Sequence, residues 1–218
     1  AKISCMLADA GQPGADRDAA TFLSQAGSHL DEAETHLVLV GGLPGTGKTT
    51  LARGLADRFG WAILRSDEVR KELAGLSSLD PAGAAPFEGI YTPEVTAGVY
   101  GGLLHRAELA LASGESVVLD ATWLDPEQRE AARATARAGH ATLHELCCDL
   151  ALEEAGSRIR ARAAAGGDAS DATPAVLARL ATEAGGPWAG ATRIDTSRPP
   201  TEVIDHASRV VRPARSDG

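Results

Sequence analysis

The sequence predicts an α/β fold: a five-stranded parallel sheet with helices on both faces. Three observations predict it. From His36 onward, strand-length apolar runs alternate with longer segments of helical spacing. The first run, His36–Val40, leads through a glycine-rich turn straight into a helix. Hydrophobic residues make up 44% of the 218 and charged residues 23%, a globular profile rather than a disordered one.

The elements follow in order. Residues 1–35 differ from the rest. Gly11, Pro13 and Gly14 break the segment. A short helix then follows, with Asp16 or Asp18 as N-cap and Phe22, Leu23, Ala26 and Leu30 as its apolar stripe. After strand His36–Val40 a helix runs to about Phe59, and Trp61–Arg65 is the second strand. Ser66 or Asp67 caps a helix to about Leu73. Residues 75–92, rich in Gly, Pro and Ala, read as a loop. Pro93 opens a long helix to about Ser113 that Gly114 ends. Ser116–Asp120 is the third strand, Pro126 opens a helix to about Ala138, and Thr142–Cys148 is the fourth strand. An arginine-studded helix, Ala151–Ala165, stops at Gly166-Gly167. Ala191–Asp195 is the fifth strand and Thr201–Val211 the last helix. The expected organisation is a flanking segment 1–35, a domain 36–213 and a tail 214–218.

Composition excludes several classes. The longest apolar runs are strand-length, far below the roughly 18 residues of a membrane helix. No apolar core of a signal peptide is visible near the start. The net charge of −9 disfavours a broad nucleic-acid footprint. Three cysteines (Cys5, Cys147, Cys148) make no disulfide framework and have no metal spacing; they read as buried free thiols of a reducing, cytoplasmic setting. Lysine is scarce: only Lys2, Lys48 and Lys71. A lysine at one particular place is therefore informative.

Lys48 stands in such a place. Gly42-Leu43-Pro44-Gly45-Thr46-Gly47-Lys48-Thr49 fits G-x-x-x-x-G-K-[ST], with a buried strand before it and a helix after it. The glycines let successive N–H groups curl around a phosphate, and the helix start adds its positive end. Lys48 places a cation between the β- and γ-phosphates, and the Thr49 hydroxyl is a hard oxygen ligand suited to Mg²⁺. Thr50 reaches toward the α-phosphate. The expected ligands are a nucleoside triphosphate such as ATP, and Mg²⁺.

Two aspartates fall at strand ends, where ligands of open parallel sheets bind. Asp120 would hold Mg²⁺ or orient an acceptor, unless it only caps the next segment. Asp67 would accept a hydroxyl proton, unless it only caps its helix. Arg70, one turn after Asp67, would clamp an acceptor or the transferred group. Thr122 and Arg129 would line the acceptor side. Arg158 and Arg162, four apart on one helix face, would neutralise charge developing on the transferred phosphoryl group, with 166–171 as a hinge beyond them.

Together these stretches resemble the P-loop kinase superfamily, in the branch that includes polynucleotide kinase, gluconate kinase, zeta toxin and chloramphenicol phosphotransferase. The added carriers are Ser66-Asp67-Glu68-Val69-Arg70, the run Val117–Arg129 with its Asp-x-Thr, Pro and Arg, and the arginine helix. Residues 36–211 are most similar to the AAA-type, kinase-like ATP-binding domain that follows an aminoglycoside-phosphotransferase-like domain in bacterial two-domain proteins. The similarity also runs through Gly89–Pro93 and Asp171–Pro174. The resemblance implies a P-loop NTPase fold with an arginine-bearing lid. It implies Asp67 as acceptor-side base with Arg70 beside it, Asp120 as the strand-end carboxylate, and Arg158 and Arg162 as the lid. It also makes residues 1–35 the tail of an upstream domain. The loop from Gly75 to Thr92 carries no signature that assigns an acceptor.

The expected activity is Mg-dependent transfer of the ATP γ-phosphate to a hydroxyl of a small molecule. Two alternatives are a 5′-hydroxyl polynucleotide kinase and a non-catalytic ATP-sensing module controlling an attached domain.

Overall fold

A computed structural model describes residues 2–32, 34–76, 92–165, 172–183 and 188–212. It divides into two compact units, 1–35 and 36–218. The first is a helical pair, α1 (Lys2–Asp9) and α2 (Ala15–Glu32), joined through the Gly11–Gly14 break. Helix α1 has no counterpart in the sequence reading. Asp16 and Asp18 lie inside the first turn of α2 rather than capping it. Phe22 and Leu23, expected on a packed stripe, are exposed, and Ala15 and Ala19 are buried instead.

The second unit carries the sheet. Its strands are β1 (His36–Gly41), β2 (Ala62–Arg65), β3 (Val117–Asp120), β4 (Thr142–Asp149) and β5 (Thr192–Asp195). They run parallel in the order β2-β3-β1-β4-β5. Boundaries agree with the sequence reading to within a residue. The helices are α3 (Lys48–Phe59), α4 (Ser66–Leu73), α5 (Pro93–Ala112), α6 (Pro126–Ala138), α7 (Leu152–Ala165), α8 (Pro174–Glu183) and α9 (Pro200–Val211). Helix α8 is an addition to the expected elements. Its start is written in the sequence all the same: Thr173 Oγ1 accepts from Val176 N, and Pro174 opens the first turn. The expected loop over 75–92, the glycine stop and hinge at 166–171, and the tail lie largely or wholly outside the described residues.

Alternation decides which strand residues meet which helices. Leu37, Leu39, Val117 and Leu119 face α4, α5 and α6 and pack with Val99, Leu103 and Trp123. Val38, Val40, Val118, Leu146, Cys148 and Ile194 face the other way, against Leu51 and Leu55 of α3 and Val203 and Ala207 of α9. A small third cluster joins Ala155 and Ile159 of α7 to Leu177 of α8, with Leu43 against it. The cysteines are free; Cys148 is buried, whereas Cys5 and Cys147 are only half-buried. Burial pushes the Cys148 thiol up to about 12, so it stays protonated and inert. No described helix is long and apolar enough to cross a membrane.

Gly41 closes β1 under an aromatic ring. A Cβ there would stand 2.2 Å from Cζ3 of Trp188, well inside van der Waals contact. Gly41→Ala must displace that ring or the strand end. It is expected to lower stability by about 1–3 kcal/mol, the usual cost of overpacking. Urea denaturation checks this, and an unchanged midpoint would show that the ring gives way freely.

Candidate active site

The C-terminal ends of β1, β2 and β3 open into a cavity of about 1010 Å³. The loop after β1 forms one wall, and tight packing shapes it. Gly45 has φ +80, and a Cβ on it would meet the carbonyl oxygen of Ala155 at 2.4 Å, so only glycine fits between the loop and α7. Gly42 N donates to Thr122 O at 3.1 Å, which ties the start of the loop to the segment after β3. Inside the loop, Thr46 Oγ1 and Lys48 Nζ donate to Leu43 O at 2.7 and 2.9 Å. The lysine thus spans the turn that its backbone makes. Pro44, Gly45, Gly47, Lys48, Thr49 and Thr50 line the cavity. Gly42, Leu43 and Thr46 are not among its lining residues; Leu43 packs instead toward α7 and α8.

At the end of β3, Asp120 is 5% exposed. Its Oδ2 accepts from Thr49 Oγ1 at 2.7 Å and from Arg65 Nε at 3.3 Å. Arg65, 4% exposed, also donates from Nη1 to Glu68 Oε1 at 2.9 Å. Residues 65 and 120 are paired in the β2–β3 register, so the two side chains rise from the sheet side by side. Sequence reading missed Arg65, although a basic residue directly before Ser66-Asp67 at a strand end was a usable signal.

Helix α4 brings Asp67 and Arg70 to the same cavity. Asp67 keeps an opening to the cavity and is otherwise walled in. Burial first, and then the Asp120 carboxylate, raise it above the ordinary aspartate range; Lys48, Arg65 and Arg70 pull it back. Arg70 is buried, with Nη1 on Thr96 Oγ1 at 3.1 Å. Tyr100 on α5 accepts from Trp123 N at 3.2 Å and shares a hydrogen bond with Thr122 Oγ1 at 3.1 Å. Burial raises the Tyr100 phenol, so it stays protonated. Thr96, Tyr100 and the α8 residue Arg179 also line the cavity and were missed, because only packing brings α5 and α8 there.

The expected residues do not all converge. Arg129 is not among the lining residues. Its Nη1 donates to the carbonyls of Trp123 and Leu124 at 2.7 and 2.8 Å, and its guanidinium lies over the Trp188 ring. It braces the segment after β3, whose Trp123 has φ 53, and Thr122 alone of that pair faces the cavity. Arg158 and Arg162 both line it. Arg158 is held at the loop by Glu154 Oε1 (2.7 Å) and Thr196 O (2.9 Å), close to Gly47. It also lines a second recess of about 90 Å³ with Gly47, Thr50, Thr196 and Arg198.

The loop fits a triphosphate, with a glycine that no side chain can replace and a lysine at its rim. The Thr49 hydroxyl beside the Asp120 carboxylate offers two hard oxygens, the donors a magnesium ion takes. No cluster of three or more His, Cys, Asp or Glu that could hold a metal occurs among the described residues. A cation held here would therefore complete its shell with phosphate oxygens and water.

A family profile described as AAA domain matches residues 37–187. The chain belongs to this family. The uncharacterized protein Rv2004c of Mycobacterium tuberculosis (strain ATCC 25618 / H37Rv) is 38% identical over 214 residues, which are 98% of this chain and 42% of that protein. The uncharacterized protein Mb2027c of Mycobacterium bovis matches to the same extent. The chain thus spans 42% of the length of these relatives. Among solved structures, a putative kinase from Chloroflexus aurantiacus aligns with TM-score 0.61 at 22% identity, covering 82% of this chain and 96% of that one. A sugar kinase from Janibacter sp. gives 0.59 at 21% with the same coverage, and a gluconokinase from Sinorhizobium meliloti 0.56 at 17%, covering 81% and 93%. This AAA domain therefore has the fold of P-loop kinases.

Within the AAA domain, Arg65 balances Asp120 and Glu68 together. Arg65→Met leaves the buried Asp120 carboxylate without that cation. It is expected to cost about 3–5 kcal/mol in urea denaturation, as for other broken buried pairs, with Arg65→Lys intermediate. A loss below about 1 kcal/mol would show that the pair contributes little.

Proposed function

We propose that this domain is an ATP-dependent, magnesium-requiring phosphotransferase acting on a hydroxyl of a small molecule. One observation carries the reading: Thr49 and Asp120 meet at 2.7 Å on the floor of a cavity whose next wall holds Asp67 and Arg70. Phosphate-side and acceptor-side groups thus share one space, as positioning and electrostatic catalysis of phosphoryl transfer require.

In this reading the loop amides and Lys48 bind the β- and γ-phosphates, and Thr50 lies toward the α-phosphate. The base lies toward the recess by Arg158 and Thr196. Thr49 and Asp120 hold Mg²⁺, which would neutralise phosphate oxygens when bound. Arg70 orients the acceptor. The acceptor oxygen bonds to the γ-phosphorus as the bridging β–γ P–O bond breaks. ADP leaves with that electron pair, and the hydroxyl proton passes to Asp67. Arg162 meets the charge that develops on the transferred group. Arg158, already tied to Glu154 and Thr196, serves the nucleotide side.

We read residues 1–35 as the tail of an upstream aminoglycoside-phosphotransferase-like domain in a cytoplasmic protein. Ile3, Met6, Phe22 and Leu23 are exposed on that unit, and the mycobacterial relatives are more than twice as long as their matched part. Arg129, on which part of the likeness to polynucleotide kinase rests, is engaged with carbonyls, and so a small acceptor is the better reading.

Labelled γ-phosphate from ATP, offered with a panel of small alcohols and a 5′-hydroxyl oligonucleotide, tests the proposal. Tight ATP binding by calorimetry with no transfer to any of them would favour the sensing module. Asp67→Asn is expected to reduce transfer by about 10²–10⁴-fold, the usual worth of a general base, with ATP affinity nearly unchanged. Because the base works deprotonated and its pKa is raised, kcat/KM falls as pH drops through a value above the ordinary 3.8 of aspartate. A pH profile with its acid limb at or below that value would remove Asp67 from the role.

A further inference from the structure

The acceptor itself can be read one step further, on the reading just given. We propose that the acceptor is a polyhydroxylated small molecule that carries no anionic group. The wall facing the end of the phosphate loop comes from α4, the start of α5 and the segment Thr122–Gln128. Among the described residues, its charged side chains are Asp67, Asp125 and Arg70, which leaves these one negative charge in excess when both acids are ionised.

A phosphate, sulfate or carboxylate on the acceptor would have to shed water against two carboxylates. Sites for such groups instead gather several cationic donors. Here Arg70 already gives Nη1 to Thr96 Oγ1 at 3.1 Å. Elsewhere the lining holds Lys48 and Arg53 of α3, Arg158 and Arg162 of α7 and Arg179 of α8; Arg158 pairs with Glu154 and Arg179 with Glu183, both at 2.7 Å. Among the described residues, the remaining polar groups of the wall are the hydroxyls of Ser66, Thr96, Tyr100 and Thr122 and the amide of Gln128. Each both donates and accepts, as a hydroxyl does, so a row of hydroxyls satisfies them. Thr96, Tyr100 and Thr122 already bond to Arg70, Trp123 or one another, and a row of acceptor hydroxyls extends that network further than a single hydroxyl can. Asp125 Oδ1 accepts from Glu127 N at 2.8 Å, so its carboxylate is fixed at the mouth of α6 rather than free to swing away.

The test uses the full chain with ATP and paired acceptors: glucose, xylitol and glucosamine against glucose 6-phosphate and gluconate, with 1-butanol as the single-hydroxyl control. The proposal expects at least one neutral or amino-substituted polyol to exceed every anionic acceptor and butanol at least tenfold in kcat/KM. Asp125→Asn keeps a capping oxygen while removing the charge, and should narrow the discrimination against anionic acceptors several-fold. Gln128→Leu should raise KM for the polyol about tenfold and leave KM for ATP unchanged. Equal or better transfer to an anionic acceptor or to butanol overturns the inference while leaving the transferase reading intact. So does an unaltered preference in both variants. Bound ATP with no transfer to any acceptor overturns the transferase reading itself, and this inference with it.

Discussion

Asp120 Oδ2 is the point on which the arrangement depends. A carboxylate at 5% exposure is costly unless its charge is met by hydrogen bonds and a cation. Two donors meet it, and they come from different parts of the chain. Thr49 belongs to the first turn of α3, so its bond fixes the loop and helix start against β3. Arg65 ends β2 and answers the same oxygen from the next strand. Three strand ends are thereby held together beside the cavity. Both contacts fall on Oδ2.

The same economy governs the charges around it. Asp67 and Asp120 are like charges in one cavity, and the Asp120 carboxylate disfavours ionisation of Asp67. Lys48, Arg65 and Arg70 offset that repulsion, and none can be removed without changing the balance. Arg65 differs from the other two because it is tied to Asp120 and Glu68 and does not line the cavity. It serves as internal counter-charge, whereas Lys48 and Arg70 line the cavity. The scarcity of lysine fits this division, since planar guanidinium groups satisfy paired oxygens better than an ammonium.

What is legible in the sequence is whatever a local pattern writes. The phosphate loop is a contiguous run, so residue spacing alone locates it and its glycines. The strands are legible because fully buried parallel strands are short apolar runs bounded by turn residues. Helix α8 starts at a readable signal, Thr173-Pro174, yet its apolar face is short and serves only the small cluster with α7, so periodicity does not reveal it. Helix α1 has no buried residue and so no contrast to mark it. The position of Arg65 at a strand end is a local signal, but the roles of Arg65 and Arg129 lie beyond a local reading for a different reason. The role of the first depends on register between β2 and β3, and that of the second on carbonyls that Trp123 and Leu124 turn toward it. Spacing along the chain puts Arg129 on the acceptor side, while packing makes it a brace.

That brace also explains how the two walls of the cavity differ. On the acceptor side, Trp123 is fully buried, its N–H is bonded to Tyr100 and its carbonyl to Arg129. Thr122, between Tyr100 and Gly42, has no slack either. Groups on this wall are fixed by bonds outside the cavity, so under the proposed function they would meet an acceptor with little further ordering to do. The opposite wall is attached more lightly. Among the described residues, α7 and α8 share Ala155, Ile159 and Leu177 as a small buried cluster, linked to the rest through Leu43, Leu150, the close approach of Gly45 to Ala155 and the Arg158–Thr196 hydrogen bond. Leu43 and Gly45 belong to the phosphate loop. A ligand that rearranges the loop must therefore push against α7, and α7 carries Arg158 and Arg162. Under the proposed function, phosphate binding and the position of the arginines would be mechanically one event, set by a glycine that leaves no room for a side chain between loop and helix.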